Sequence, residues 1–144
     1  MSKKVAVIRR ATFNAAHKLW NDKWTAEKNK EVFGLCANEH FHGHNYTIEV
    51  KVIGEIEPET GYVIDLKIVK DIIKEEIEER FDHKNLNLDT KEFASLNPTA
   101  ENIIVVIYDL IRAKLDSKYE LFHDLLTRRK AGIYVGMIRT FFSY

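Results

Sequence analysis

From His44 onward the chain reads H-N-Y-T-I-E-V-K-V, and the alternation is strict: Tyr46, Ile48, Val50 and Val52 face one way, while Asn45, Thr47, Glu49 and Lys51 face the other. Successive strand side chains project to opposite faces, so this period of two describes a strand with one apolar and one polar face. The strand is expected over about 43 to 54, ended by Gly54. Upstream, residues 5 to 14 (VAVIRRATFN) are also β-rich, with Val5, Val7, Arg9 and Ala11 opposite Ala6, Ile8, Arg10 and Thr12. Between the two strands lies HKLWNDKWTAEKNKEVFGL, rich in Lys, Asn and aromatics without a clear period, which is expected to be a long loop of functional kind.

After the turn EIEPETGYVID, with Pro58 and Gly61 as breakers, the period changes. Over 66 to 81 the residues Leu66, Val69, Ile73 and Ile77 recur at helical spacing beside Ile68 and Ile72, with Asp65 placed as N-cap. Asn97 and Pro98 suit the cap and first position of a second helix, whose buried stripe is Ile103, Ile104, Ile107, Leu110, Ile111 and Leu115. Residues 118 to 130 are ambiguous between helix and loop, and the β-branched, aromatic tail from Gly132 to Tyr144 reads as one or two short strands. The order predicts an α+β domain with helices on one face of an antiparallel sheet. At 144 residues, one domain over 1–144 is expected.

Twenty-two basic residues balance twenty-two acidic ones, which disfavours nucleic acid as a partner. No run approaches the roughly 18 apolar residues of a membrane span, and the start has no apolar core of signal-peptide length. A cytoplasmic protein with no membrane partner is expected.

The stretch CANEHFHGHNY holds three of the six histidines, a glutamate and the single cysteine. His42 and His44, two apart on a strand, face the same way, with the bulkless Gly43 between them. Two imidazoles so placed can grip one metal, and His17 in FNAAH can supply a third ligand if the two strands pair as a hairpin. Three histidines without a thiolate suit zinc acting on a small oxygen-bearing ligand, the fourth position staying open.

Cys36 and Glu39 precede His42 in the expected loop, where either can reach across the open face of the metal. A thiol beside a zinc cation has its thiolate favoured, the condition for a proton acceptor. Farther on, FDHKNLN sets Asp82 beside His83, and a carboxylate can orient an imidazole as a proton relay; end-of-helix capping is the plainer use of such a pair.

Taken together and in this order, FNAAH, C-x5-HGHNY, DHKNLN and NPTAEN resemble the 6-pyruvoyl-tetrahydropterin synthase family, which includes the 6-carboxytetrahydropterin synthases of queuosine biosynthesis. The likeness covers roughly residues 5 to 110 and is far more specific than any one motif. It implies the tunnelling fold (T-fold), a four-stranded antiparallel sheet with two helices on one face, assembled as a homohexamer from two trimers with active sites between subunits. It implies zinc on His17, His42 and His44, Cys36 as proton acceptor, Asp82 with His83 as relay, and Thr99 and Glu101 lining a pterin pocket. The implied substrate is the small molecule 7,8-dihydroneopterin triphosphate, which loses triphosphate to give a 6-pyruvoyl- or, with chain cleavage, a 6-carboxy-tetrahydropterin.

Two features qualify that reading. In some relatives a glutamate at the position of Glu39 replaces the cysteine in enzymes that resemble folate-pathway catalysts giving 6-hydroxymethyl-dihydropterin, and this chain carries both groups. The family's Glu-Thr pair in the C-terminal strand is missing from GIYVGMIRTFFSY, where Gly136 or Met137 stands instead. Loss of that carboxylate removes a charge-assisted pairing with the pterin worth about 1.5–3 kcal/mol, so either another acid such as Glu101 substitutes or substrate choice has changed. The rivals are a cupin, in which HGHNYTIE would make Glu49 an extra ligand, and a noncatalytic zinc- or pterin-binding relative.

Overall fold

The computed structural model describes residues 3–127 and 133–137. Two 14-residue strands, β1 (Lys4–His17) and β2 (His42–Glu55), pair antiparallel from Lys4 opposite Glu55 to His17 opposite His42. β1 therefore runs past the expected end at residue 14, and His17 is its last residue rather than the first residue beyond it. β4 (Glu120–Thr127) pairs with β2, and β5 (Ile133–Met137) with β4, both antiparallel. A two-residue strand, β3 (Lys84–Asn85), lies parallel along the other edge of β1, giving the order β3-β1-β2-β4-β5. The ambiguous segment 118–130 thus contributes a strand, and the part of the tail after Met137 lies outside the described residues.

On β2 the alternation does what the sequence requires: Tyr46, Ile48, Val50 and Val52 are all buried. Directly opposite Tyr46, Phe13 stacks on it with ring centroids 4.8 Å apart, a cross-strand pair that pins the register. Two helices cover this face. Helix α2, over 66–81, starts at Asp65, whose carboxylate accepts from the Lys67 N–H at 2.8 Å. Val69, Ile72, Ile73, Ile77 and Phe81 enter the core, whereas Leu66 and Ile68 remain exposed. Its middle, Lys74–Glu78, is a π-helical turn; the extra residue shifts the helix phase and turns Glu76 inward, onto Arg80 and Lys114.

The loop expected between β1 and β2 contains instead a helix, α1 (Ala26–Phe33), followed by a 3-10 turn, Gly34–Ala37. Thr25 caps it through Lys28 N–H, and its single buried side chain is polar: Asn29 accepts from Asn21 N–H at 2.7 Å and donates to the carbonyls of Asn21 and Thr25. An apolar period could not reveal a helix built this way.

After α2 come a short turn of helix, α3 (Leu86–Asp89), and the helix α4 (Ala100–Arg112). The cap of α4 is Thr99, not Asn97: its hydroxyl accepts from Asn102 N–H at 3.2 Å. Asn97 is occupied otherwise, its side-chain oxygen accepting from Trp20 N–H and its carbonyl from Asn102 Nδ2. Ile103, Ile104, Ile107, Tyr108 and Ile111 form the buried stripe, with Leu115 beyond and Leu110 at the margin. Among the described residues no helix is long and apolar enough to cross a membrane.

Candidate functional site

The apolar face of the sheet ends in imidazoles. Along β2 the same face reads Val52, Val50, Ile48, Tyr46, His44 and His42, and the pairing of β1 adds His17 directly opposite His42. One ligand atom from each of the three histidines lies within 4.8 Å of the others. Register alone brings these together: a one-residue slip would send His17 to the solvent face.

The second contact of His17 fixes what its ring presents. Nδ1 lies 2.7 Å from the carbonyl oxygen of Pro98, which can only accept, so Nδ1 carries the proton and Nε2 keeps its lone pair. That Nε2 stands 3.1 Å from Nε2 of His42. Two nitrogens bound to one zinc at tetrahedral angles stand about 3.3 Å apart by the usual Zn–N lengths. His17 is 6 % exposed, and the ring centroids of His44 lie 5.0 Å from His17 and 4.7 Å from His42. The donor set therefore fits a divalent ion with nitrogen ligands and one open position.

Cys36 sits half-buried on the 3-10 turn, its carbonyl accepting from Leu19 N–H at 2.9 Å. The buried phenol of Tyr46 has its pKa pushed well up, first by desolvation and then by the charge of Cys36. The Tyr46 ring in turn lies 5.7 Å from that of His44. Glu39 is exposed just before β2.

Asp82 and His83 follow α2 and are strapped to the edge of β1. Asn14 N–H donates to Asp82 Oδ1 at 2.7 Å, His83 N–H donates to the Asn14 carbonyl at 2.7 Å, and Asp82 Oδ2 meets His83 Nδ1 at 2.9 Å. The Asn14 amide holds the Asp82 carboxyl below its usual range against the opposing effect of burial, with His83 adding to the shift. His83 adopts a left-handed backbone (φ 58°), uncommon for a residue with a Cβ, and exposes its ring. His83 and His44 border one open hollow of about 470 Å³.

Thr99 and Glu101 are found in the first turn of α4, the former as cap and the latter exposed. Gly136 and Met137 fall in β5, opposite Asp124 and His123 of β4. Glu49 points away from the histidines and pairs with Arg10 on the outer face of the sheet, which removes the cupin ligand set. Two positioning groups had gone unread in the sequence. One is the Pro98 carbonyl. The other is Asn87, whose side chain accepts from Lys18 N–H at 2.8 Å and donates to the Lys18 carbonyl at 3.0 Å, clamping the residue next to His17. Both lie inside the quoted motifs NPTAEN and DHKNLN, which was the available signal.

A family model described as 6-pyruvoyl tetrahydropterin synthase matches residues 6–128. The 6-pyruvoyl tetrahydrobiopterin synthase of Drosophila melanogaster is 44% identical over 119 residues, 83% of this chain and 70% of that protein. A dihydroneopterin monophosphate aldolase of Pyrococcus furiosus is 35% identical over 118 residues, 82% of this chain and 84% of that one. The solved structure of Caenorhabditis elegans 6-pyruvoyl tetrahydropterin synthase superposes with a TM-score of 0.85 at 29% identity, covering 95% of this chain and 98% of that one. The sheet and its covering helices are those of the tunnelling fold.

Proposed function

Because the chain belongs to the 6-pyruvoyl tetrahydropterin synthase family and is an enzyme of pterin metabolism, we propose that it is a zinc-dependent lyase. Its substrate is 7,8-dihydroneopterin triphosphate, and its product a 6-pyruvoyl- or 6-carboxy-tetrahydropterin. The observation that carries this reading is the convergence of His17, His42 and His44, with the His17 lone pair aimed inward by Pro98. His17, His42 and His44 would hold the zinc, which when bound polarises the side-chain oxygens of the substrate and makes the neighbouring C–H more acidic.

The chain's own groups handle the protons. Cys36 as thiolate takes the acidified C–H proton, and the electron pair left behind expels triphosphate. Tyr46 stays a neutral phenol, because burial first and then the charge of Cys36 oppose its ionisation. Asp82, kept ionised by the Asn14 amide, holds His83 Nδ1 and leaves the other ring nitrogen to exchange protons. With no carboxylate at Gly136 or Met137, an acid such as Glu101, in the first turn of α4, would meet the donor edge of the pterin. A cytoplasmic homohexamer built as two trimers completes the proposal, and sedimentation tests the assembly.

A second reading, cleavage to 6-hydroxymethyl-dihydropterin with Glu39 as base, is favoured by the name of the Pyrococcus furiosus relative. One assay separates the outcomes: zinc-loaded protein is incubated with 7,8-dihydroneopterin triphosphate and every pterin product is identified by mass. A pyruvoyl or carboxyl side chain with released triphosphate supports the lyase, and a hydroxymethyl group supports the second reading. No turnover by folded, zinc-bearing protein would make it a binding relative.

A further inference from the structure

Immediately beyond the His17–His42 pair the fold leaves a second hollow, of about 400 Å³, bordered among others by Lys18, Trp20, Phe41, Asn87, Ser95 and Asn97. Its walls are sequence neighbours of the triad and of its anchor: Lys18 follows His17, Phe41 precedes His42, and Asn97 precedes Pro98. Resting on the lyase reading above, we infer that Lys18 is the anion anchor of the site and receives the phosphate end of the ligand whose side-chain oxygens lie at the histidines.

Lys18 is held for such a role. Its backbone is clamped on both sides by the Asn87 side chain. Its ammonium lies 4.8 Å from the centre of the Trp20 ring and 5.3 Å from that of Phe41. Ring faces fix a cation in place without neutralising it. Among the described residues Lys18 makes no ion pair within 4.0 Å, although Asp22 borders the same hollow. The ring of Phe41 is delivered by a left-handed backbone (φ 64°), a conformation that bulky side chains rarely adopt and that marks functional positions. Two of the amides around it are already engaged: both side-chain atoms of Asn87 bind the Lys18 backbone, and Asn97 Oδ1 accepts from Trp20 N–H. The ammonium is the cation this hollow offers a ligand, and a phosphate is its natural complement.

The test compares equilibrium binding of 7,8-dihydroneopterin triphosphate and unphosphorylated 7,8-dihydroneopterin in a zinc-loaded Cys36→Ala background, which preserves the ligand. Lys18→Gln should weaken the triphosphate about tenfold, the scale of one charge-assisted contact, and leave the unphosphorylated pterin within twofold. Lys18→Arg should retain most of the difference, and added salt should shrink it. If Lys18→Gln weakens both ligands alike, or neither, the residue is structural and the inference falls while the pterin reading stands. If neither ligand binds the parent protein, both fall.

Discussion

His17 Nδ1 and the carbonyl oxygen of Pro98 stand 2.7 Å apart, so the loop before α4 decides which nitrogen β1 turns toward His42. Thr99 secures that loop as N-cap, and Asn97 and Asn102 bracket it. Thr99→Ala should cost about 1 kcal/mol of stability, the usual worth of a cap, and loosen zinc several-fold because the His17 ring loses its fixed acceptor. Thr99→Ser should restore both. Chemical denaturation and zinc titration check this; a Thr99→Ser protein with normal zinc affinity but weakened pterin binding would instead make Thr99 a pocket wall.

Cys36 carries the proposed proton transfer. Cys36→Ala should lower turnover at least about a hundredfold, the scale of a lost general base, while zinc content and fold persist. Unchanged turnover would remove Cys36 from the reaction and leave Glu39 as the candidate.

Asp82 has its folded pKa depressed below its ordinary 3.8, chiefly by the Asn14 amide. A depressed carboxylate adds stability at pH values above its unfolded pKa, and that stability is lost as the pH falls through the folded value. Wild-type protein should therefore lose stability between about pH 5 and about pH 3 more steeply than Asp82→Asn. Urea unfolding at the two pH values measures the difference, and parallel curves would show that the Asn14 contact carries no folding energy.

Glu76 is buried with Arg80 Nη2 at 2.8 Å and Lys114 Nζ at 3.1 Å, and Arg80 reaches on to Glu92 at 2.9 Å. Burial alone would raise the Glu76 pKa, but Lys114 and Arg80 bring it below the ordinary value. Glu76→Gln should cost about 1–2 kcal/mol rather than the larger penalty of a stranded buried charge, because both cations are partly exposed and can rehydrate. A thermal melt tests it, and an unchanged melting temperature would mean that the network contributes nothing to stability.

The sheet and the triad were legible because a period of two assigns each strand residue to a face, and His42 and His44 are two apart. His17 became a partner only through strand register, which the hairpin expectation supplied. Helix α1 was hidden because its one buried side chain, Asn29, acts by hydrogen bonds. The start of α4 was misplaced because Asn97, Pro98 and Thr99 all carry helix-start chemistry, and tertiary contacts with Trp20 and Asn102 decided between them. The π turn of α2 left no periodic trace, since Glu76 is drawn inward by Arg80 and Lys114 from outside its own stripe.

The most direct measurement is turnover of 7,8-dihydroneopterin triphosphate as zinc is added to metal-stripped protein, with bound metal counted in the same samples. Activity should rise in proportion to bound zinc and level off at about one ion per chain, as a single three-histidine site requires. His42→Ala should hold no stoichiometric zinc and show no turnover. Full activity in stripped protein, or in a His42→Ala variant free of zinc, would contradict a metal-centred lyase at this site.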